Sequence, residues 1–310
     1  PSEAPQIFEF MQAHKKDIAF HGFSYYWSGA SYTQRVIALE SSLELTFEAM
    51  RQGLRPKGLN IGGGFHVQYA DSRDEWNNYV DTIKKSVLGQ LVSMTWNDTG
   101  LGFRNQGGKI TGAPGFMDHY MPHTSAQDLA YTLSQPLPSF DNMSAAEIMR
   151  DSLLDLYIEP GRSMLDQLGI TVGRVNYNKL STNGETLAAL DMNRSSMHST
   201  HQKLLTEPVI LTKDRKNRTA NEDGVFYIGN LCVSYDIVQY NKTFPDFIPD
   251  TGDLVCFINT APYIMDFIET TTLHQAVAEK IAIVKDKNRL KWYRDEKYKP
   301  AISAYNKKEA

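Results

Sequence analysis

Glu159-Pro160-Gly161-Arg162 puts a carboxylate and a guanidinium on either side of a tight turn, directly after the strand formers Leu156, Tyr157 and Ile158. Pro160 cannot continue a β-ladder and Gly161 permits a close backbone approach, so both charged side chains should project from a strand's carboxyl end. Such strand ends are where barrel enzymes keep their chemistry. Taken alone, the same four residues are more often an ordinary turn with a surface ion pair. A second candidate is Gly62-Gly63-Gly64, where the lack of β-carbons lets backbone N–H groups approach an anion such as phosphate. Arg162 could add charge-assisted hydrogen bonds to the same group. His21 and Ser24 at the end of an apolar run, Cys232 within Gly229–Asp236, and Tyr263 complete the candidates. A lone His on an apolar strand and a free Cys are each also ordinary core residues.

Metal and nucleotide chemistry find less support. His119 and His123 have an i,i+4 spacing and His198 lies near His201, but neither pair has a flanking Glu or Cys set, so no metal site is expected. Gly102–Lys109 misses the phosphate-loop spacing and continues with Ile110 where Ser or Thr is required, so it reads as a loop.

The elements that must position these groups alternate. Asp17–Phe23 reads as a short buried strand, Val36, Leu39, Leu43, Phe47 and Met50 mark a long helix stopped at Gly53, and Leu59-Asn60-Ile61 returns as a strand into the triple Gly. That is a strand–helix–strand unit of the parallel kind. Asp74–Leu91 is the next expected helix. From about 95 to 142 periodicity fades into Gly, Pro, Asn and Ser, a structureless segment whose length suggests that it covers a site. Ser144-Ala145-Ala146-Glu147 is a capping-box pattern that opens the helix leading into Leu156. Beyond Gly169, Ile170–Leu180 and Thr186–Met192 read as a hairpin, followed by strands at Val209–Leu211, Val225–Ile228 and Leu254–Ile258. Lys297–Lys308 reads as a solvated, Lys-rich end.

The 310 residues suffice for one large or two medium domains, and 41% hydrophobic with 22% charged residues is the composition of a soluble globular protein. A net charge of −4 gives no reason to expect nucleic acid or an anionic membrane as partner. No stretch approaches a membrane span and no signal-peptide pattern opens the chain, so a cytoplasmic location is expected. The two cysteines, Cys232 and Cys256, cannot form a disulfide scaffold. The chain opens Pro1-Ser2-Glu3 in front of an amphipathic pattern at Ile7, Phe8 and Met11, the texture of an internal segment.

In order and residue type these motifs resemble the fold-type III pyridoxal-phosphate decarboxylases, the ornithine and diaminopimelate decarboxylase family, from about Phe20 to Tyr263. The resemblance implies an α/β fold: a pyridoxal-phosphate-binding (β/α)8 barrel, of which residues 1–168 form only the last part, then a mainly antiparallel β-domain over 169–310. It implies an amino-acid decarboxylase with pyridoxal 5'-phosphate as cofactor, a small amino acid as substrate and a homodimer with the active site at its interface. Gly62, Gly63, Gly64, Gly161, Arg162, Ser24 and Tyr263 would then hold the phosphate end. Glu159 would partner the pyridine nitrogen, His21 would stack on the ring, and Cys232 would reach the partner subunit's site.

Departures from the family pattern accompany the match. The Gly of the Phe-His-x-Gly-Ser strand stands one position early, Asn230 replaces a Pro, Val233 replaces an acidic residue, and Ala261-Pro262 replaces Gly-Ala before Tyr263. The family's Schiff-base lysine lies on an earlier strand with no counterpart in this chain, which supplies about three of eight barrel strands. A longer polypeptide carrying the N-terminal barrel segment is the expected partner. Two other readings remain: a family member that keeps the fold and dimer surface without catalysis, and a racemase on the same cofactor, which Glu159 disfavours because racemases pair the ring nitrogen with Arg.

Overall fold

The computed structural model describes residues 2–27, 29, 31–197, 205, 207–213, 218–265 and 271–299. His198, His201 and most of the Lys297–Lys308 tail lie outside the described residues. In chain order the N-terminal half comprises α1 (Ala4–Ala13), β1 (Gly22–Ser24), α2 (Tyr32–Arg51), β2 (Gly58–Asn60), α3 (Arg73–Val87), β3 (Phe103–Gln106), β4 (Lys109–Gly112), α4 (Ala126–Ser134), α5 (Ala145–Asp151) and β5 (Asp155–Tyr157). The C-terminal half comprises β6 (Ile170–Leu180), β7 (Thr186–Leu190), β8 (Val209–Leu211), β9 (Val225–Ile228), β10 (Leu254–Ile258), β11 (Ile281–Asp286) and β12 (Arg289–Arg294). No described helix is long and apolar enough to cross a membrane.

Strands β1, β2 and β5 form a parallel three-stranded sheet, registered Gly22↔Gly58↔Asp155 through Ser24↔Asn60↔Tyr157. It is an open sheet rather than a closed barrel. Its helices begin where side chains replace the missing helical partners of the first N–H groups. Ser31 and Gln34 form a capping box at α2, with the Ser31 N–H donating to Gln34 Oε1 (2.8 Å). Ser144 and Glu147 do the same at α5. One apolar face of α2, carrying Leu39 and Leu43, buries against Leu59 of β2, Ile61, and Ile148 and Met149 of α5. Leu137, from the Gly- and Pro-rich segment, is fully buried in the same core.

That segment, 95–142, is not structureless. Asn105 Oδ1 accepts the Gly108 N–H at 2.9 Å across a Gly107-Gly108 turn, closing the β3–β4 hairpin. Helix α4 follows. Phe103 and Phe116 pack with Trp76 and Ile83 of α3 in a separate core. The apolar residues here face three different neighbours, so no single period shows in the sequence.

Beyond β5 the chain forms a five-stranded sheet in the order β8-β10-β6-β7-β9. It is mixed rather than antiparallel. β6 pairs antiparallel with β7 and β10, and β10 with β8, but β9 runs parallel to β7 (Thr186↔Val225 to Ala189↔Ile228). The long excursion between β7 and β9 replaces the tight turn that an antiparallel partner would need. Its core is Val175, Leu190, Val225, Tyr227, Val255 and Phe257. A second hairpin, β11–β12, sits in a stretch where no strand was expected; its charged and apolar residues are almost all exposed, so no buried face marks it in the sequence.

Leu59 is fully buried between α2 and α5, immediately before the Gly turn. Leu59→Ala should cost about 2–5 kcal/mol, read as a lower urea midpoint at unchanged m-value.

Candidate functional site

Parallel register places Ser24, Asn60 and Tyr157 together at the carboxyl ends of β1, β2 and β5. The segments that leave those ends meet at a cavity of about 680 Å³ whose wall includes Tyr26, Gly64, His66, Glu159, Arg162 and Tyr263. Of the residues singled out in the sequence, Gly64, Glu159, Gly161, Arg162 and Tyr263 therefore share one cavity.

Gly62 and Gly63 lie behind this wall and are fixed by close backbone approach. A Cβ on Gly63 would sit 2.1 Å from the Glu159 carbonyl oxygen, and one on Gly62, whose φ is +67°, 2.4 Å from that of Tyr25. Only glycine lets the three strand-end loops come this near. The Glu159 N–H donates to the Gly62 carbonyl at 2.8 Å. Asn60 ties the same two loops through its side chain: Nδ2 donates to Glu159 Oε1 (2.7 Å) and Oδ1 accepts the Gly62 N–H (2.8 Å). Glu159 is thereby held at the cavity wall while remaining exposed.

Behind the Gly turn lies a buried ionic network. Arg35 of α2 donates from Nη1 to the carbonyls of Gly63 (3.1 Å) and Gly64 (3.2 Å). Its Nε stands 3.7 Å from Asp128 Oδ1, and its guanidinium covers the Phe65 ring at 4.7 Å. Asp128, on α4, is fully buried. Its Oδ2 accepts both the His66 backbone N–H (3.0 Å) and His66 Nδ1 (2.9 Å). Burial pushes the Asp128 carboxyl upward, but the two His66 bonds and the Arg35 charge outweigh it, and the net displacement is below the ordinary 3.8. The Gly63 and Gly64 carbonyls are turned to Arg35, so the N–H groups on the far side of the same two peptides, those of Gly64 and Phe65, face away from it, and neither has a protein acceptor among the described residues. This is a nest suited to an anion.

Arg162 adds the cation. Its Nη1 donates to the Pro262 carbonyl (3.3 Å) and its guanidinium lies 5.8 Å from the Tyr263 ring centre. The Tyr263 hydroxyl lies where a Cβ on Gly161 would be, 2.3 Å away, so Gly161 makes room for Tyr263. Burial pushes the Tyr69 phenol up to about 12 against the opposing pull of Arg162. These contacts bring the five-stranded sheet's loop onto the parallel sheet's strand end.

His21, Ser24 and Cys232 do not join the cavity. The β1–β2 register leaves His21 before the start of β1, its carbonyl accepting the N–H groups of Lys57 (2.8 Å) and Gly58 (3.2 Å), about 10 Å of strand rise from Ser24. Gly22 follows it because a Cβ there would fall 1.8 Å from the Gly58 carbonyl, which explains the glycine's early position. Ser24 ends β1 but does not line the wall; Tyr26, two residues on, does. Cys232 is exposed in the loop after β9. That loop is organised by buried Asp236, which accepts the Leu231 N–H (2.7 Å) and the Arg194 N–H (2.8 Å). His119 and His123 are packing residues, stacked on Trp76 (4.4 Å) and Tyr131 (5.0 Å). Among the described residues no group of three or more His, Cys, Asp or Glu could hold a metal ion.

Arg35, Asn60, His66 and Asp128 are the functional candidates that sequence reasoning missed. One signal was available: Arg35 stands four residues before Leu39 and eight before Leu43, a cation on the buried stripe of α2.

No protein-family model matches the sequence. An uncharacterized protein of Sinorhizobium fredii, y4yA, is 25% identical over 276 residues, which cover 87% of this chain and 54% of that protein. Among solved structures, the chain superposes on the Paramecium bursaria Chlorella virus arginine decarboxylase bound to agmatine with a TM-score of 0.55 at 16% identity, covering 88% of this chain and 57% of that one. Diaminopimelate decarboxylase from Helicobacter pylori complexed with L-lysine gives 0.55 at 12% (93% and 55% covered). Lysine/ornithine decarboxylase from Vibrio vulnificus complexed with cadaverine gives 0.54 at 18% (89% and 58%). The likeness is one of fold, and the chain spans a little over half the length of each of these proteins.

Gly63→Ala should force the two loops apart and destabilise the protein by about 1–3 kcal/mol in urea unfolding. Asp128 has a folded-state pKa below its ordinary value, so its contribution to stability is present above that value and is lost as pH falls through the folded one. The unfolding free energy should therefore drop below about pH 4 more steeply in the parent than in Asp128→Asn, measured by urea titration across the acid range.

Proposed function

We propose that this chain forms the phosphate- and ring-binding side of a pyridoxal-phosphate-dependent amino-acid decarboxylase. The observation that carries the reading is the meeting of the Gly64 end of the glycine turn, a guanidinium and a carboxylate in one cavity at the carboxyl ends of three parallel strands. The residues fit the cofactor's two polar ends. The N–H groups at the cavity end of the Gly turn, Gly64 and Phe65, with Arg162, would hold its phosphate. Glu159, fixed by Asn60, would bond the pyridine nitrogen and keep it protonated. When bound, pyridoxal phosphate supplies the electron sink that lets a carboxylate leave an amino acid's α-carbon. No lysine lines the cavity among the described residues, so the group that holds the aldehyde would come from elsewhere in the polypeptide.

Support for the reaction class comes from the fold: the structures named above are arginine, diaminopimelate and lysine/ornithine decarboxylases. Their bound ligands are basic. Here Val233 stands at the family's acidic position, and Phe116, Met117 and Met121 give the cavity an apolar wall, which favours an amino acid without a cationic distal end. Cys232, exposed and away from this chain's own cavity, would act on the site of a second copy in a homodimer. A second reading, a cofactor-binding protein without turnover, is favoured by Asn230 and Val233 in the Cys232 segment.

The full-length protein should bind pyridoxal phosphate, absorb in the visible, lose that absorbance on borohydride treatment and release CO₂ from an amino acid. Glu159→Gln should retain the cofactor while turnover falls by orders of magnitude, because an amide cannot stabilise the ring's proton. Arg162→Ala should instead lose cofactor on dialysis, the phosphate having lost a charge-assisted partner worth about 1.5–3 kcal/mol. A protein that takes up no pyridoxal phosphate overturns the proposal; cofactor uptake without CO₂ release from any amino acid favours the second reading.

A further inference from the structure

His66 follows the Gly turn by two residues and belongs to none of the motifs that carry the decarboxylase resemblance. It lines the cavity together with Gly64, Glu159 and Arg162. Its ring cannot turn freely, because Asp128 Oδ2 accepts from both its backbone N–H (3.0 Å) and Nδ1 (2.9 Å). An ionised Asp128 fixes the proton on Nδ1, which leaves Nε2 as the ring's other polar atom, and Nε2 has no partner among the described residues. The side chain is 14% exposed and forms part of the cavity wall. The same Asp128 lies against Arg35, whose Nη1 holds the carbonyls of Gly63 and Gly64. A single buried carboxylate thus sets both the backbone nest and the imidazole beside it.

From this geometry we infer that His66, oriented by Asp128, is an additional anion-binding residue of the cavity and pairs its Nε2 with the phosphate held at the Gly turn, one proton being shared between the two. Asp128 is its positioning residue. The hydrogen bond at Nε2 would be charge-assisted by the phosphate and would add to the one from Arg162. This rests on the proposed function for the identity of the phosphate ester. An amino-acid carboxylate offers the same chemistry, and the ligands below separate the two.

The test uses the full-length protein, His66→Gln and Asp128→Asn, titrated with pyridoxal phosphate and with pyridoxal, which lacks the phosphate. In both variants the affinity for pyridoxal phosphate should fall about tenfold or more, the loss of one charge-assisted hydrogen bond, while that for pyridoxal stays within about twofold of the parent. Retained pyridoxal binding also shows that each variant is folded. Equal losses for the two ligands, or unchanged pyridoxal-phosphate affinity, overturn the inference; an unchanged cofactor affinity with a raised KM for the amino acid overturns it in favour of a substrate carboxylate. If His66→Gln behaves as the parent while Arg162→Ala loses cofactor, the proposed function stands and the role of His66 falls. A parent that binds neither ligand overturns both.

Discussion

One buried carboxylate, Asp128, ties together three pieces of chain that are distant in sequence. It accepts the backbone and ring N–H groups of His66 and faces the Arg35 guanidinium, which in turn holds the Gly63 and Gly64 carbonyls. Taking a carboxylate and a guanidinium out of water costs several kcal/mol each, and their attraction together with the extra hydrogen bonds only roughly offsets that cost. The network's contribution is therefore geometric. It fixes which way the peptide groups of the Gly turn face, and so which of them an incoming anion meets. Ordinary hydrophobic packing of Leu59 and Ile61 places the turn but leaves the orientation of its peptides undetermined.

The two sheets contribute to the cavity in different ways. The parallel sheet presents loops at strand ends, where close approach between Gly63 and Glu159, and between Gly62 and Tyr25, depends on absent β-carbons. The five-stranded sheet contributes through the loop after β10. Tyr263 takes the space that Gly161 leaves open, and the Pro262 carbonyl accepts from Arg162. Close to the same junction, Thr171 donates to Thr260 at 2.9 Å and the Ala261 N–H to Leu168 at 3.0 Å. Arg162 is thus held at the cavity wall by the loop after β10, opposite the loops that leave the parallel sheet.

Segment 95–142 acts as more than a cover. Phe116, Met117 and Met121 supply wall, but α4 also supplies Asp128, and Tyr32 at the start of α2 is clasped by its hydroxyl to both the carbonyl and the N–H of His123 (2.7 and 2.9 Å). Tyr32 packs against His66, His123 and Tyr131 at ring distances of 5.1, 5.4 and 5.3 Å. The cavity's ionic support and part of its aromatic lining therefore depend on how this segment folds.

What the sequence determined by itself was local. The capping box at Ser144, the apolar stripe of α2, the strand formers before Glu159 and the strand β6 depend on neighbours a few residues apart, and each is legible as a pattern. The grouping of Gly64, Glu159 and Arg162 in one cavity was legible because they follow closely on the ends of β2 and β5, whereas Tyr263, five residues beyond β10, was legible only through the order of motifs that resembles the decarboxylase family. The tertiary structure decided what depends on register and on distant partners. His21 falls at the wrong end of β1 because of how β1 aligns with β2, and β9 lies parallel to β7 because of the chain's route between them. Arg35, His66 and Asp128 acquire a role only when α2, the Gly turn and α4 are packed together, since a charge in a sequence says nothing of its partner until the fold removes water from both.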